Sequence, residues 1–186
     1  MKNAVTLHGI CDENEYFDMD FPSPSNAHWL PWLQQKFCRA GILCQCLEMP
    51  KPYKPVYEEW KQTFEQLNVQ DLAFVVGHSA GCGFILKWLH QNPAIKFEKL
   101  ILVAPWLDPT KRMGEFVQFE LKPEGLKNVG EIHLFHSEDD MEAVKITQER
   151  LIAMYPKIIQ HNYKNMGHFC LSDIGPTFED LWDVLK

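Results

Sequence analysis

The sequence lacks the features that mark several large classes of protein. No apolar run approaches the roughly eighteen residues of a transmembrane helix. The 18 Lys and Arg residues are outnumbered by 25 Asp and Glu residues, and the resulting net charge of −7 argues against nucleic acid or an anionic membrane as a partner. Residues 1–7 pass directly into a strand-like pattern, so we expect no signal peptide and a cytoplasmic location.

The six cysteines lack the spacing of a metal or redox site. No C-x-x-C pair occurs, and Cys44 and Cys46 lie two residues apart on a predicted strand, where they share one face and pack. The carboxylates of residues 10–27 do not follow the spacing of a calcium-binding loop. We therefore expect reduced thiols and a protein that needs neither a metal nor a cofactor.

Short apolar runs alternate with helical patterns along the chain. The predicted strands lie at residues 4–7, 42–47, 72–76, 100–104, 131–135 and 158–163. The predicted helices lie at residues 29–37, 57–67, 84–91, 116–121, 141–155 and 178–185. This alternation predicts one α/β domain over residues 1–186, with a mainly parallel sheet of order 2-1-3-4-5-6 and helices on both faces.

A long acidic segment, residues 10–27, interrupts the alternation. It carries five carboxylates and no Lys or Arg. Loops of this length are uncommon unless they are functional or mobile. A solvated surface loop is the simpler interpretation, and a cover over a pocket, formed by Tyr16, Phe17 and Phe21, is the alternative.

The segment Gly77-His78-Ser79-Ala80-Gly81 follows a buried strand and opens a helix. In that context G-x-S-x-G is typical of a nucleophile elbow, a sharp turn that exposes the serine at the carboxyl edge of a sheet. The N–H of Ala80, at the start of the helix, can then face a developing oxyanion. A purely structural turn and a phosphate-binding turn are the alternatives.

A serine hydroxyl needs a base to become a nucleophile, and in such sites an acid and then a histidine follow it in chain order. His168 follows the last predicted strand, and Asp139 and Asp140 both follow the fifth. Asp139 has a structural explanation as a helix N-cap, because Glu142 lies at capping-box spacing from it. Asp108 is a third candidate for the acid.

Two further positions complete the predicted site. The N–H of Ile10, after the first strand, is the candidate second oxyanion donor, and His8 is placed to shape its loop. The other histidines have simpler structural explanations, and His28 has no partner nearby in the sequence.

Three motifs in this order resemble the small lidless α/β-hydrolases of the retinoblastoma-binding-protein-nine type: Gly77-His78-Ser79-Ala80-Gly81, Ser137-Glu138-Asp139-Asp140 and Gly167-His168-Phe169. The tryptophan-rich first helix, the Glu48-Met49-Pro50 turn and the length also fit, so the resemblance covers nearly the whole chain. It implies an α/β-hydrolase-like three-layer sandwich with Ser79 as nucleophile, Asp140 as acid and His168 as base. The acidic segment after His8-Gly9 departs from the family's glycine-rich loop.

Two functions are consistent with these motifs. The first is a serine hydrolase that cleaves a small ester, thioester or amide through an acyl-enzyme, with a small acyl compound as substrate. The second is a protein-interaction module on a hydrolase scaffold with little or no turnover, whose partner is unidentified. The connection between residues 105 and 130 is too short for a lid domain.

Overall fold

Six parallel strands form the sheet of this protein. The computed structural model describes residues 2–186. In it the strands pair in the order β2-β1-β3-β4-β5-β6, as predicted, and each neighbouring pair is parallel. The strands are β1 (Asn3–Leu7), β2 (Leu43–Leu47), β3 (Leu72–His78), β4 (Phe97–Val103), β5 (Val129–Ser137) and β6 (Ile159–Tyr163).

Helices follow or flank these strands. Within residues 2–186 the α-helices are α1 (Glu13–Phe17), α2 (Leu30–Arg39), α3 (Tyr57–Phe64), α4 (Ala80–Gln91), α5 (Glu142–Met154), α6 (Leu171–Ile174) and α7 (Glu179–Asp183). None of the helices in this range is long and apolar enough to cross a membrane.

The centre of the sheet is covered on both faces. All seven residues of β3 are buried, as expected of a parallel strand between two helical layers. Phe37 of α2 packs against Phe74 of β3 and against Trp182 of α7. In the other layer α3 packs on α4 through Trp60 and Phe84. The architecture is therefore the predicted three-layer α/β-hydrolase fold.

Two local predictions were wrong. The acidic segment contains helix α1 and a 3-10 turn at Pro24–Asn26, and the side chains of Tyr16 and Phe17 pack on Tyr53. The helix predicted at residues 116–121 does not form. Phe116 is instead buried against Trp60; residues 116 and 117 lie in a turn, and residues 118–121 form no regular structure.

The connection from β4 to β5, residues 104–128, consists of turns and a single 3-10 helix at Pro123–Leu126. It therefore carries no lid domain. β4 begins three residues earlier than predicted, because the buried Phe97 already pairs with Val129 of β5. All the strands run in one direction, so their carboxyl ends meet at one edge of the sheet, where parallel α/β folds place their sites.

Candidate active site

Ser79 lies at the sharp turn between β3 and α4. Its φ of 53° and ψ of −120° are values that residues other than glycine rarely adopt. Its N–H donates to the carbonyl of Val103 (2.9 Å), and its own carbonyl accepts from the N–H groups of Cys82 (3.0 Å) and Trp106 (3.2 Å). These three hydrogen bonds hold the strained turn, which matches the nucleophile elbow that the motif predicts.

The two motif glycines are required by close backbone contacts. A Cβ on Gly77 would lie 2.9 Å from the N atom of Cys82, where α4 begins. A Cβ on Gly81 would lie 2.5 Å from the carbonyl oxygens of both Leu7 and His8. Gly81 therefore lets the first turn of α4 approach the end of β1, the strand that leads into the acidic segment.

His168 lies between Ser79 and Asp140. Its Nε2 is 2.9 Å from Ser79 Oγ, and its Nδ1 is 3.0 and 3.2 Å from the two carboxylate oxygens of Asp140. The Asp140 side chain is fully buried, and that of His168 is 18% exposed. Such a chain of hydrogen bonds can move the serine proton to the imidazole while the carboxylate holds the ring in one tautomer.

Asp139 does not cap a helix, contrary to the prediction. Helix α5 begins at Glu142, and its N-cap residue is Met141, with no side-chain cap. The Asp139 carboxylate instead accepts hydrogen bonds from Ser137 Oγ and from the N–H of Gly167 (3.0 Å). These bonds, that of Ser137 first, lower the pKa of Asp139. The capping-box spacing is present, but the carboxylate binds Ser137 at the end of β5 and Gly167 after β6 instead of the helix N-terminus.

The loop that carries His168 is held by further hydrogen bonds to its backbone. Ser137 Oγ accepts from the N–H of Met166 (2.9 Å), and Asp173 accepts from the N–H groups of His168 (3.0 Å) and Cys170 (2.9 Å). No local motif links Asp173 to the histidine, so sequence reasoning missed it, and Ser137 was included in the prediction only as part of the segment that carries the acid.

The two predicted oxyanion donors are the N–H of Ile10, which follows β1, and the N–H of Ala80, the first residue of α4. His8 Nε2 accepts from the N–H of Met49 (2.9 Å), so the protonated Nδ1 donates to the carbonyl of Gly9 (2.7 Å). In a trans peptide the C=O and the following N–H point in opposite directions, so the N–H of Ile10 is turned away from His8. The N–H of Ala80 lies in the first turn of α4, whose N–H groups have no acceptor within the helix. Within residues 2–186, neither this N–H nor that of Ile10 donates to a carbonyl of a loop or turn.

Two cavities flank Ser79 and His168. The first, of about 200 Å³, is lined by His28, His78, Pro22, Pro24 and Cys170 among others. The second, of about 460 Å³, is lined by Asp12, Glu13, Tyr53, Trp106, Arg112 and Met141 among others. Both cavities share Ile10, Cys11 and Glu15. The acidic segment therefore borders the site. Of the three aromatic side chains expected to cover a pocket, Tyr16 lines the first cavity, whereas Phe17 and Phe21 line neither cavity and are 62% and 52% exposed.

The two cysteines of the first cavity are poor competitors for the role of nucleophile. Burial raises the pKa of Cys11 to about 11 and that of Cys170 to about 12, so both remain uncharged thiols near neutral pH. All six cysteines are free. Among residues 2–186, no group of three or more His, Cys, Asp and Glu side chains is arranged to hold a metal ion.

The remaining candidates have structural roles. Asp108 is buried and accepts from the N–H groups of Arg112 (2.8 Å) and Met113 (2.6 Å), so it caps a turn. His78 is buried beside the elbow, and its Nε2 donates to the carbonyl of His168 (2.8 Å). Asp108 therefore stabilises a turn after β4, and His78, at the end of β3, bonds to the loop that carries His168.

Comparisons with known proteins show which family and which fold this chain shares. A family model described as serine hydrolase matches residues 21–184. The protein YdeN of Bacillus subtilis (strain 168), described as a hydrolase, is 25% identical over 176 residues, which cover 91% of this chain and 93% of YdeN. The crystal structure of the ydeN gene product superposes with a TM-score of 0.81 at 24% identity, covering 100% of this chain and 97% of that one. A methylesterase, MES16 from Arabidopsis, shares the fold, with a TM-score of 0.65, 12% identity and coverage of 100% and 97% of the two chains.

Proposed function

Because this chain belongs to the serine hydrolase family, whose model matches most of its length, we propose that Ser79, His168 and Asp140 form a catalytic triad. The protein is a hydrolase, and the proposed substrate is a small ester, thioester or amide. The observation that carries the proposal is the pair of hydrogen-bond distances at His168, 2.9 Å to Ser79 Oγ and 3.0 Å to Asp140 Oδ1.

The reaction proceeds in two halves. Ser79 Oγ attacks the substrate carbonyl carbon and gives its proton to His168 Nε2, which then protonates the leaving group as the acyl–oxygen, acyl–sulfur or acyl–nitrogen bond breaks. A water molecule, deprotonated by the same nitrogen, then hydrolyses the acyl-enzyme. Asp140 accepts the N–H of Nδ1 throughout and stabilises the imidazolium that forms.

The negative charge on the substrate oxygen is stabilised by the N–H groups of Ala80 and Ile10. The first opens α4, where the helix dipole favours a negative charge. The second lies next to Ser79, because a Cβ on Gly9 would be only 3.0 Å from Ser79 Cβ. Two unpaired N–H groups on either side of a strained serine support this assignment.

We also propose that the chain is of the retinoblastoma-binding-protein-nine type, as a single domain that acts in the cytoplasm. Two features behind that resemblance contact the site. Trp29, at the start of the tryptophan-rich helix, donates from Nε1 to the carbonyl of Phe169 (3.0 Å), and Met49 donates to His8 (2.9 Å). The interaction module without turnover is set aside, because the family is one of hydrolases.

A fluorophosphonate probe tests the proposal, since only an activated serine reacts with it readily. We expect the wild-type protein to be labelled and Ser79→Ala to be unlabelled. Ser172→Ala, which changes an exposed serine on α6 outside both cavities, serves as the matched control and should be labelled like the wild type. Labelling that persists in folded Ser79→Ala would exclude Ser79 as the nucleophile.

A further inference from the structure

We infer that the cavity of about 200 Å³ beside Ser79 binds an uncharged arm of the substrate that carries a hydrogen-bond acceptor, which His28 recognises through its Nε2–H. This inference rests on the proposed function and adds a specificity-determining residue to it. The hydrogen bonding, the backbone conformation and the surroundings of His28 support it.

The tautomer of His28 is set by the backbone of α6. The N–H of Leu171 donates to His28 Nδ1 (3.0 Å), so that nitrogen presents its lone pair and the neutral ring carries its proton on Nε2. The ring makes no second hydrogen bond within residues 2–186. Its Nε2 therefore has no partner, and it is not one of the fully buried polar atoms, so it is accessible. A donor is therefore left accessible at the cavity. Burial lowers the pKa of His28, and nearby His168 lowers it further, so the neutral form predominates near pH 7.

The backbone holds this ring in place at a cost. His28 has a φ of 57°, a left-handed conformation that is unfavourable for a residue with a Cβ. Strain of this kind persists where the surrounding structure requires it, and it is concentrated at functional sites. The His28 ring packs edge-on against His78, whose own Nε2 is bonded to the carbonyl of His168. The donor is thus tied to the loop that carries the proposed base.

The charges around the cavity define the acceptor. One carboxylate, that of Glu15, lines the cavity, and no Lys or Arg lines it. A carboxylate or phosphate on the substrate would meet this charge without a cation to balance it. An ether, hydroxyl or carbonyl oxygen accepts the Nε2–H without that repulsion. The preferred substrate arm is therefore short, neutral and oxygen-bearing.

Pairs of esters that differ by one oxygen test the inference. In the acyl series, p-nitrophenyl methoxyacetate is compared with p-nitrophenyl butyrate, in which a methylene replaces the ether oxygen. In the alcohol series, 2-methoxyethyl acetate is compared with butyl acetate. The quantity measured is the ratio of kcat/KM within each pair, for the wild type and for His28→Gly. Intrinsic reactivity is the same for both proteins, so it cancels when the two ratios are compared.

We expect His28→Gly to lower the preference for the ether about fivefold in one of the two series, as the loss of one hydrogen bond predicts. The series that responds identifies the arm that lies in the cavity. Glycine suits the positive φ, and the two esters of a pair are nearly equal in size, so the enlarged cavity affects both alike. Lys51→Gly is the matched control: Lys51 also has a positive φ (46°), but it lies outside both cavities, and its ratios should equal those of the wild type.

His28→Asn, which also tolerates a positive φ and whose shorter side chain withdraws the donor, replaces the glycine variant if the latter does not fold. If the ratios are unchanged in both series, in a folded variant whose activity still requires Ser79, the role of His28 is overturned and the proposed triad is unaffected. Hydrolysis that persists in Ser79→Ala would instead count against the proposed triad.

Discussion

Asp139 and Gly167 are joined by a hydrogen bond of 3.0 Å from the glycine N–H to the carboxylate, directly beside the contact between Asp140 and His168. Two consecutive aspartates thus hold one loop in two ways. Asp140 contacts the imidazole, and Asp139 contacts the backbone one residue before it. The two positions therefore differ in what their substitution is expected to change.

Asp140→Asn is expected to lower kcat by about 10⁴, because an amide at this position favours the wrong imidazole tautomer. The side chain is nearly isosteric and fully buried, so the fold should be retained. Steady-state kinetics with p-nitrophenyl butyrate measures the effect. A folded variant with wild-type kcat would show that the acid is a different residue.

Asp139→Ala is expected to lower kcat by about tenfold and to lower the urea midpoint of unfolding, because Gly167 N–H and Ser137 Oγ lose their acceptor. Asp139→Asn keeps a carbonyl oxygen that accepts from the Gly167 N–H, and it should restore most of kcat. The measurements are kcat, KM and the urea midpoint of both variants. A variant that loses stability but keeps full kcat would limit Asp139 to a structural role.

Glu15→Gln is expected to increase the relative activity on anionic substrates about threefold at low salt, since Glu15 borders both cavities. The test compares p-nitrophenyl butyrate with a p-nitrophenyl ester whose acyl chain ends in a carboxylate. The effect should shrink as salt is added. Glu58→Gln changes the net charge equally from an exposed position outside both cavities, and it should leave the ratio unchanged. Equal ratios in all three proteins would show that the charge of Glu15 does not affect the choice of substrate.

The free energy of unfolding is expected to fall as the pH decreases from 7.5 to 5.5. Burial is the largest cause that lowers the pKa of several histidines below the ordinary value of 6.5: His8, His28, His78, His90, His136 and His161. Below pH 6.5 the unfolded chain therefore binds more protons than the native protein, which favours unfolding.

Urea midpoints at a series of pH values measure this dependence. The window lies above the range in which carboxylates become protonated, so the decrease reports the histidines. A midpoint that does not change between pH 7.5 and 5.5 would contradict the prediction.

The sequence by itself determined which segments form strands and where the elbow lies. Both depend on patterns within a few residues: the continuous apolar run of β3, the helical spacing of α4, and two glycines where a Cβ would meet backbone atoms. Chain order then placed His168 and two aspartates at the same sheet edge, because all six strands are parallel. Local periodicity and the handedness of crossover connections suffice for these inferences.

Only the tertiary structure decided what each polar side chain contacts. Asp139 lies at capping-box spacing from Glu142, yet it bonds to Gly167, 28 residues away. His28 has no partner nearby in the sequence, yet its ring accepts a hydrogen bond from a residue 143 positions later. Such partners are brought together by the packing of whole elements, so the spacing of residues along the chain does not predict the distances between them. For that reason the motifs located the site, whereas its cavities and the hydrogen bonds around it emerged only from the folded chain.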